Sequence, residues 1–396
     1  MKMETKVAQI GVDSHRTFSS VTARDGTGRV AWRKRLEHAD RDPLREELKT
    51  WPKGTPVVLE GTFGWGWLSD ELSAAGLEPH LASSKKIAAW RDARGLAKSN
   101  RTDADLLSEL WNQQPRWWEV WLAPPEVRSQ REWLRYRMTL MKLQTGLKNR
   151  IHAILHRHGI VHGVSDLFGT SGRRFLSLLL VVPGEATLPD STRAMLKGYL
   201  QLLDQLRRQI AQVTRELRGQ ITRTPAGERL RTLPGIDYIL GYTILAEVGR
   251  IERFRSAKHL ASYSLLAPRA YDSGDDDGEA PKGRHVGHAG RRTLKWAWIE
   301  AAHGAVRHGG RFREIFDRRT NGGARDRNRG YIAVGHELCR ITYVLWKKEI
   351  DYQETPPPRP GHGKPHRSMR RATKVTSGAS RPGTGQPDRP MVDVLA

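Results

Sequence analysis

Three short apolar runs follow one another near the beginning of the chain, and this succession constrains the fold more than any other feature. Lys6 to Asp13 (Lys-Val-Ala-Gln-Ile-Gly-Val-Asp) has the apolar content of a strand and ends on a carboxylate; Phe18 to Ala23 and Val30 to Leu36 follow across short turns. Consecutive strands with such short connections pair as an antiparallel meander. A helix-like Pro43 to Trp51 comes next, then a β-rich Thr55 to Leu59 that runs into Glu60-Gly61-Thr62. A helix around Trp67 to Ala75, a strand from Glu78 to Ala82 and a helix after Asp103 complete the order β-β-β-α-β-α-β-α over residues 5–120.

That order is the ribonuclease-H-like order, so the first unit is expected to be α/β. Residues 124–225 are expected to be a helical or coiled-coil arm. Apolar residues recur there at three- and four-residue spacing from Leu196 onward, and Gly169 to Arg174 reads as a break between two long helices. Such an arm would act as a spacer or in assembly, with Leu203, Leu206 and Ile210 on the assembling face; the alternative is a bundle packed on its neighbours. Residues 229–352 form a third, mainly α unit. The tail, 355–396, is Pro-, Gly-, Arg- and Ser-rich, carries eight Lys/Arg against two Asp, and is expected to be disordered.

Lys and Arg together number 67 against 43 Asp and Glu, a formal net charge of +24 over 396 residues. An excess of this size favours a polyanionic partner through counterion release, with nucleic acid the commonest, ahead of an anionic membrane surface. The single cysteine, Cys339, cannot form an internal disulfide, which fits a reducing cytosol. The longest apolar run, Phe175 to Pro183, is about half of the roughly 18–20 residues that span a bilayer. The chain therefore reads as cytoplasmic, without a membrane partner.

Asp13 and Glu60 end two strands that are neighbours in a ribonuclease-H-like sheet. Two carboxylates on rigid strands can hold a hard, oxygen-seeking Mg²⁺ beside a phosphate. Each alone is equally well read as a strand end. A third acidic element opens the next helix at Lys98-Ser-Asn-Arg-Thr-Asp-Ala-Asp, where Asn100 and Asp103 share a face and Asp105 points away. Helix capping would account for one of these residues.

The Pro234-Gly235-Ile236 turn between apolar segments resembles a helix-hairpin-helix, whose turn amides meet phosphate oxygens, although ordinary helical hairpins use the same turn. A Ser273-Gly274 pair is bracketed by Arg269, Arg284, Arg291 and Arg292, which could hold a phosphate beside a nucleophilic hydroxyl. On spacing alone, Ser-Gly is a common loop dipeptide. His285 and His288 have no third ligand at zinc spacing, so no zinc site is expected.

Taken together, these segments resemble the bacterial insertion-sequence transposases of the IS-one-ten, or DEDD, type. The resemblance runs over most of residues 5–350. It rests on Ile-Gly-Val-Asp13-Ser-His, Leu-Glu60-Gly-Thr and Lys98-Ser-Asn-Arg-Thr-Asp103-Ala, and on Leu-Pro-Gly235-Ile, Phe254-Arg-Ser-Ala-Lys-His-Leu-Ala-Ser-Tyr263, Leu-Ala-Pro268-Arg with Ser273-Gly, and Gly287-His-Ala-Gly-Arg-Arg-Thr-Leu-Lys. It implies a RuvC-like domain, a coiled-coil arm and a helical domain with a catalytic serine. Asp13, Glu60 and Asp103 fall on three of the family's four metal-binding acids and Ser273 on its serine. The fourth acid is Asn100 here: an amide oxygen can ligate Mg²⁺ without charge, Asp105 could substitute through a shifted helix start, or the copy is impaired.

The implied activity is recombination, with the serine attacking a DNA phosphodiester, Mg²⁺ on the acids, an element-encoded guide RNA, and multimers built across catalytic domains. Two other readings use the same residues. One is a RuvC-like structure-selective nuclease with metal-activated water; the other is a decayed, non-enzymatic nucleic-acid binder.

Overall fold

Apolar residues at alternate positions give β1 (Val7–Ser14) two different faces, and the computed structural model, which describes residues 7–181, 188–267, 291–324 and 326–354, builds a mixed sheet around it. β2 (Phe18–Asp25) and β3 (Val30–Glu37) continue as an antiparallel meander. α1 (Arg41–Lys49) leads to β4 (Pro56–Glu60) and α2 (Trp65–Ala74) to β5 (Glu78–Ala82), both strands parallel to β1 in direction. α3 (Ser84–Ala93) and α4 (Asn100–Glu109) then precede a short antiparallel β6 (Glu119–Val120). The strand order across the sheet is β3-β2-β1-β4-β5-β6.

The expected element order is present, with two additions and one shift. α3 and β6 do not stand out in the sequence. α4 opens at Asn100, ahead of Asp103, because the Ser99 hydroxyl caps it by accepting from the Thr102 amide at 3.1 Å.

One face of the sheet is an aliphatic core. Ile10 and Val12 of β1 and Val57 and Leu59 of β4 pack with Leu44 and Leu48 of α1 and Leu68 and Leu72 of α2. The intervening positions face α3 and α4: Val58 and Ala82 join Ile87 and Leu107 in a second cluster, and the Gln9 side-chain amide donates to the Ser108 carbonyl at 2.6 Å. Gly11 lies under α4 so closely that a Cβ there would come within 2.1 Å of the Ser108 nitrogen. Only glycine lets this helix close on this strand.

α5 (Pro125–Arg157) and α7 (Asp190–Thr222) have 33 residues each, roughly 50 Å at a helical rise. They pack along each other with α6 (Thr170–Val181) between them in sequence, so Gly169 to Arg174 runs into a helix and is not the expected break. Gly172 is required there, because its Cβ position meets the Leu167 carbonyl at 2.2 Å. Leu203 is fully buried within the chain against Ile151, Leu176 and Leu196, and Leu206 and Ile210 pack against Leu134, Val213 and Leu217. Leu203 therefore holds the helices of one chain together, while Leu206 and Ile210 are only partly buried and Leu206 also borders open space. What α5 and α7 leave exposed is a cavity of about 650 Å³ lined by Leu143, Leu147, Leu202 and Leu206.

The remaining helices are α8 (Pro225–Arg231), α9 (Tyr238–Val248), α10 (Ala257–Tyr263), α11 (Arg292–His308), α12 (Gly310–Thr320) and α13 (Arg327–Lys348). They enclose a core around Trp298, Phe312, Leu338 and the buried, unpaired Cys339. The described residues up to Gln353 make one compact unit. The disorder expected of 355–396 concerns residues outside those described, as do the expectations for Ser273, Arg269 and Arg284. Among the described residues, no helix is long and apolar enough to cross a membrane.

Candidate active site

Strand register brings the first two acids together. Val12 pairs with Leu59, so Asp13 and Glu60 occupy the next rung of adjacent parallel strands, with backbones about 4.8 Å apart. The two-residue period puts both side chains on the face covered by α3 and α4, opposite the aliphatic core. Because Gly11 admits α4, the first turn of that helix carries Asp103 over the same end of β1.

Asp13 and Asp103 are 5% and 6% exposed, a degree of burial that carboxylates reach only when paired or bound. Burial, opposed by His15 and reinforced by the negative charges of Asp103 and Glu60, pushes the Asp13 carboxyl up to about 6. Three carboxylates thus sense one another. His15 Nε2 stands 3.0 Å from Asp13 Oδ2, yet both atoms are buried and neither makes an aligned hydrogen bond. Thr62 Oγ1, just beyond Glu60, is buried and unbonded as well. Asp103 is held by Arg91 of α3, whose Nη1 donates to Oδ1 at 3.0 Å. That bond is the main reason the Arg91 guanidinium is held above its ordinary value.

Asp105 takes no part. Burial alone would raise it, but hydrogen bonds from Arg33 at 2.9 Å to each oxygen and from Thr22 at 2.7 Å hold it below the ordinary carboxylate range. It points to β2 and β3, as its spacing from Asp103 implies. A shifted helix start that would swing it inward is ruled out by the Ser99 cap. Asn100 is exposed and borders a cavity of about 340 Å³ with Ser20, Thr22, Arg33, Arg35 and Arg101.

The donor set suits a hard divalent cation: all-oxygen ligands, mutual repulsion that a cation would relieve, and a buried Asp13 oxygen whose one neighbour, His15 Nε2, is not aligned on it. Among the described residues, however, no three His, Cys, Asp or Glu side chains are gathered into a ready-made metal cage. Gly11, His15 and Arg91 are site residues that the sequence reading missed. Only the Gly-Val-Asp spacing hints at the first; the other two meet their partners through space.

A second group of buried charges lies in the helical half. Arg131 of α5, 4% exposed, donates to the Ala246 and Glu247 carbonyls at 2.9 Å each, satisfying the C-terminal turn of α9. Arg253 does the same for the Val248 carbonyl at 2.9 Å and lies 4.4 Å over the Trp121 ring. Arg291 donates to the Tyr263 hydroxyl at 2.9 Å and approaches the buried Glu247 carboxylate at 3.6 Å, while Arg292 opens α11 exposed to solvent. Gly235 has a packing reason of its own. Its φ is +83°, and a Cβ would meet the Ala301 carbonyl of α11 at 2.2 Å. The amide of Leu240 in the following helix is already met by the Asp237 carboxylate at 2.8 Å.

Two family descriptions match separate blocks of the chain. A DEDD-type transposase description covers residues 10–160, and "Transposase IS116/IS110/IS902 family" covers residues 227–317. The transposase for insertion sequence element IS1111A of Coxiella burnetii is 23% identical over 352 residues, covering 87% of this chain and 91% of that one. The transposase for element IS1328 of Yersinia enterocolitica is 25% identical over 68% of this chain and 76% of its own. A pilin gene-inverting protein of Moraxella bovis is 29% identical over 127 residues, 32% of this chain and 38% of that one.

Proposed function

Since the chain belongs to the IS116/IS110/IS902 family of transposases, enzymes acting on DNA, we propose that it cuts and rejoins DNA strands at an acidic, Mg²⁺-dependent centre with Ser273 as nucleophile. The observation that carries the reading is the convergence of Asp13, Glu60 and Asp103 from two strands and a helix. The antiparallel β1–β3 meander followed by parallel β4 and β5 supports the ribonuclease-H-like, RuvC-like reading of this half.

In the first step the Ser273 hydroxyl oxygen bonds to phosphorus as a bond to a deoxyribose oxygen breaks. The serine proton leaves and the departing oxygen gains one. In the second, a deoxyribose hydroxyl of the other strand displaces the serine. Phosphodiester bonds are conserved in number, so exchange needs no external energy source. Asp13, Glu60 and Asp103, with the amide oxygen of Asn100, would hold the cation, whose charge would stabilise the developing negative phosphate. Arg91 keeps the Asp103 carboxylate oriented, and His15 stands beside Asp13. The positive charge of the chain suits both duplex DNA and a folded guide RNA, and the exposed leucines between α5 and α7 suit a homo-oligomer.

The test is adduct trapping. Wild-type protein incubated with an element-end duplex and Mg²⁺ should yield a covalent protein–DNA species, which Ser273→Ala abolishes. Cleavage by Ser273→Ala without an adduct would favour a nuclease using activated water. Asn100→Asp separates a working site from a decayed one: a large gain from an inactive start supports decay, and unchanged activity removes it.

A further inference from the structure

Phe63 is 100% exposed, the highest value among the large apolar side chains of the described residues. An isolated exposed apolar residue is ordinary. This one is held by the sheet itself. The Gly61 amide donates to the Ala82 carbonyl of β5 at 2.8 Å, the Thr62 amide donates to the Glu60 carbonyl at 2.8 Å, and Gly64, at φ +83°, starts α2. The ring is therefore projected from a tight turn on the strand that carries Glu60.

Its aromatic neighbours are all engaged. Trp67 packs edge-on against His38 at 4.9 Å and beneath Arg41 at 4.8 Å, and Trp65 lies under Arg128. Gly61, Gly64 and Gly66 alternate with Thr62 and Trp65 around it, and the Phe63 ring stands wholly in solvent.

We propose that Phe63 is a stacking platform for an unpaired DNA base next to the phosphate at the acidic centre. This rests on the reading of Asp13, Glu60 and Asp103 given above. Three residues span at most about 11 Å of chain, and successive phosphates of a strand lie a few ångströms apart along it. The ring is thus within reach of the first few nucleotides beside Glu60, and a flat apolar face accepts any base.

A double-mutant cycle tests it in EDTA, where no chemistry intervenes. Wild-type and Phe63→Ala proteins are titrated with a labelled single DNA strand and with a strand of equal length built wholly of abasic residues. Stacking is worth roughly 1–3 kcal/mol, so Phe63→Ala should weaken binding to the base-bearing strand about 5- to 150-fold and leave the abasic strand within about twofold. Phe63→Trp should keep the affinity. Equal weakening of both strands, or loss that Phe63→Trp does not rescue, overturns the proposal. So does a change of oligomeric state without base dependence, which would assign the ring to a second copy, and so does a cycle seen with an RNA strand but not with DNA. If Asp13→Asn still supports cleavage, the catalytic reading fails while this metal-free cycle stands or falls on its own.

Discussion

Two groups of buried charges face opposite electrostatic problems. In the sheet, Asp13, Glu60 and Asp103 are like charges driven together, and Asp13 is left with a buried oxygen that no aligned donor meets. In the helical half, the buried Arg131 and half-buried Arg253 are like charges too, but each donates to carbonyls at the end of α9, and the Glu247 carboxylate sits among them, although one Glu247 oxygen and one Arg253 nitrogen also lack an aligned partner. Burial lowers both guanidiniums from their ordinary value, and the neighbouring Arg291 adds to the effect. The difference teaches how to tell framework from chemistry. Cations gathered round a carboxylate and backbone carbonyls offset one another and hold the fold; like charges that outnumber their counter-charges are the ones a further ion would relieve.

The comparison breaks if removing an acid is harmless to chemistry. Asp13→Asn or Glu60→Gln should lower strand cleavage by roughly 10²–10³-fold or more, as loss of a preorganised electrostatic group does, with the fold retained by circular dichroism. Near-normal cleavage would reclassify the acids as structural.

Arg131→Met should do the reverse. It takes one of two cations from beside Glu247, leaving Arg291, and opens two carbonyls, a loss of about 3 kcal/mol in unfolding free energy, measurable by urea denaturation and unaffected by EDTA. A change below about 1 kcal/mol would show the network to be dispensable.

The third prediction uses pH. Asp13 binds its proton more tightly folded than unfolded, with a value near 6 against an ordinary 3.9 or so. Its contribution to stability is therefore favourable below about pH 4, declines as pH rises, and is a full penalty above about 6, on the order of 2–3 kcal/mol at most. In EDTA, Asp13→Asn should melt higher than wild type at pH 8, and the difference should vanish near pH 4. A variant that melts lower at pH 8 would contradict the strain assigned to the acidic group.

The smallest effect sharpens the boundary between the groups. Gly11→Ala should cost about 1–3 kcal/mol by forcing α4 off β1, and should lower cleavage by more than its stability loss explains, because Asp103 moves with the helix. Proportionate losses would mean that the strand–helix contact does not position the carboxylate.

Much of the sheet was legible because β1 and β4 are apolar runs that stop at carboxylates, and a period of two then fixes which face those carboxylates occupy. α4 was legible as a helix, but its start was not, since the Ser99 cap competes with Asn100 and Asp103 for the same role. α3 went unread because only Ile87 is buried on it, leaving no stripe to recognise. Arg91 went unread with it. Arg131 and the Glu247 carbonyl lie 116 residues apart, a separation across which no periodicity speaks. The leucines of α7 were legible as a stripe; whether the stripe faced this chain or another was decided by α5, α6 and α9.

Gly11 also sets what the chain can vary. The segment 94–99 that links α3 to α4 is exposed along its length and makes few ties to the sheet. Were the position of Asp103 set by that linker, each added or deleted residue would retune the carboxylate spacing. It is set instead by contact between α4 and a strand without a side chain, so the linker can lengthen, shorten or acquire new sequence while the distance between the acids holds. Insertions at 95–98 are thus the natural place to graft a new recognition loop beside the acidic centre without disturbing its geometry.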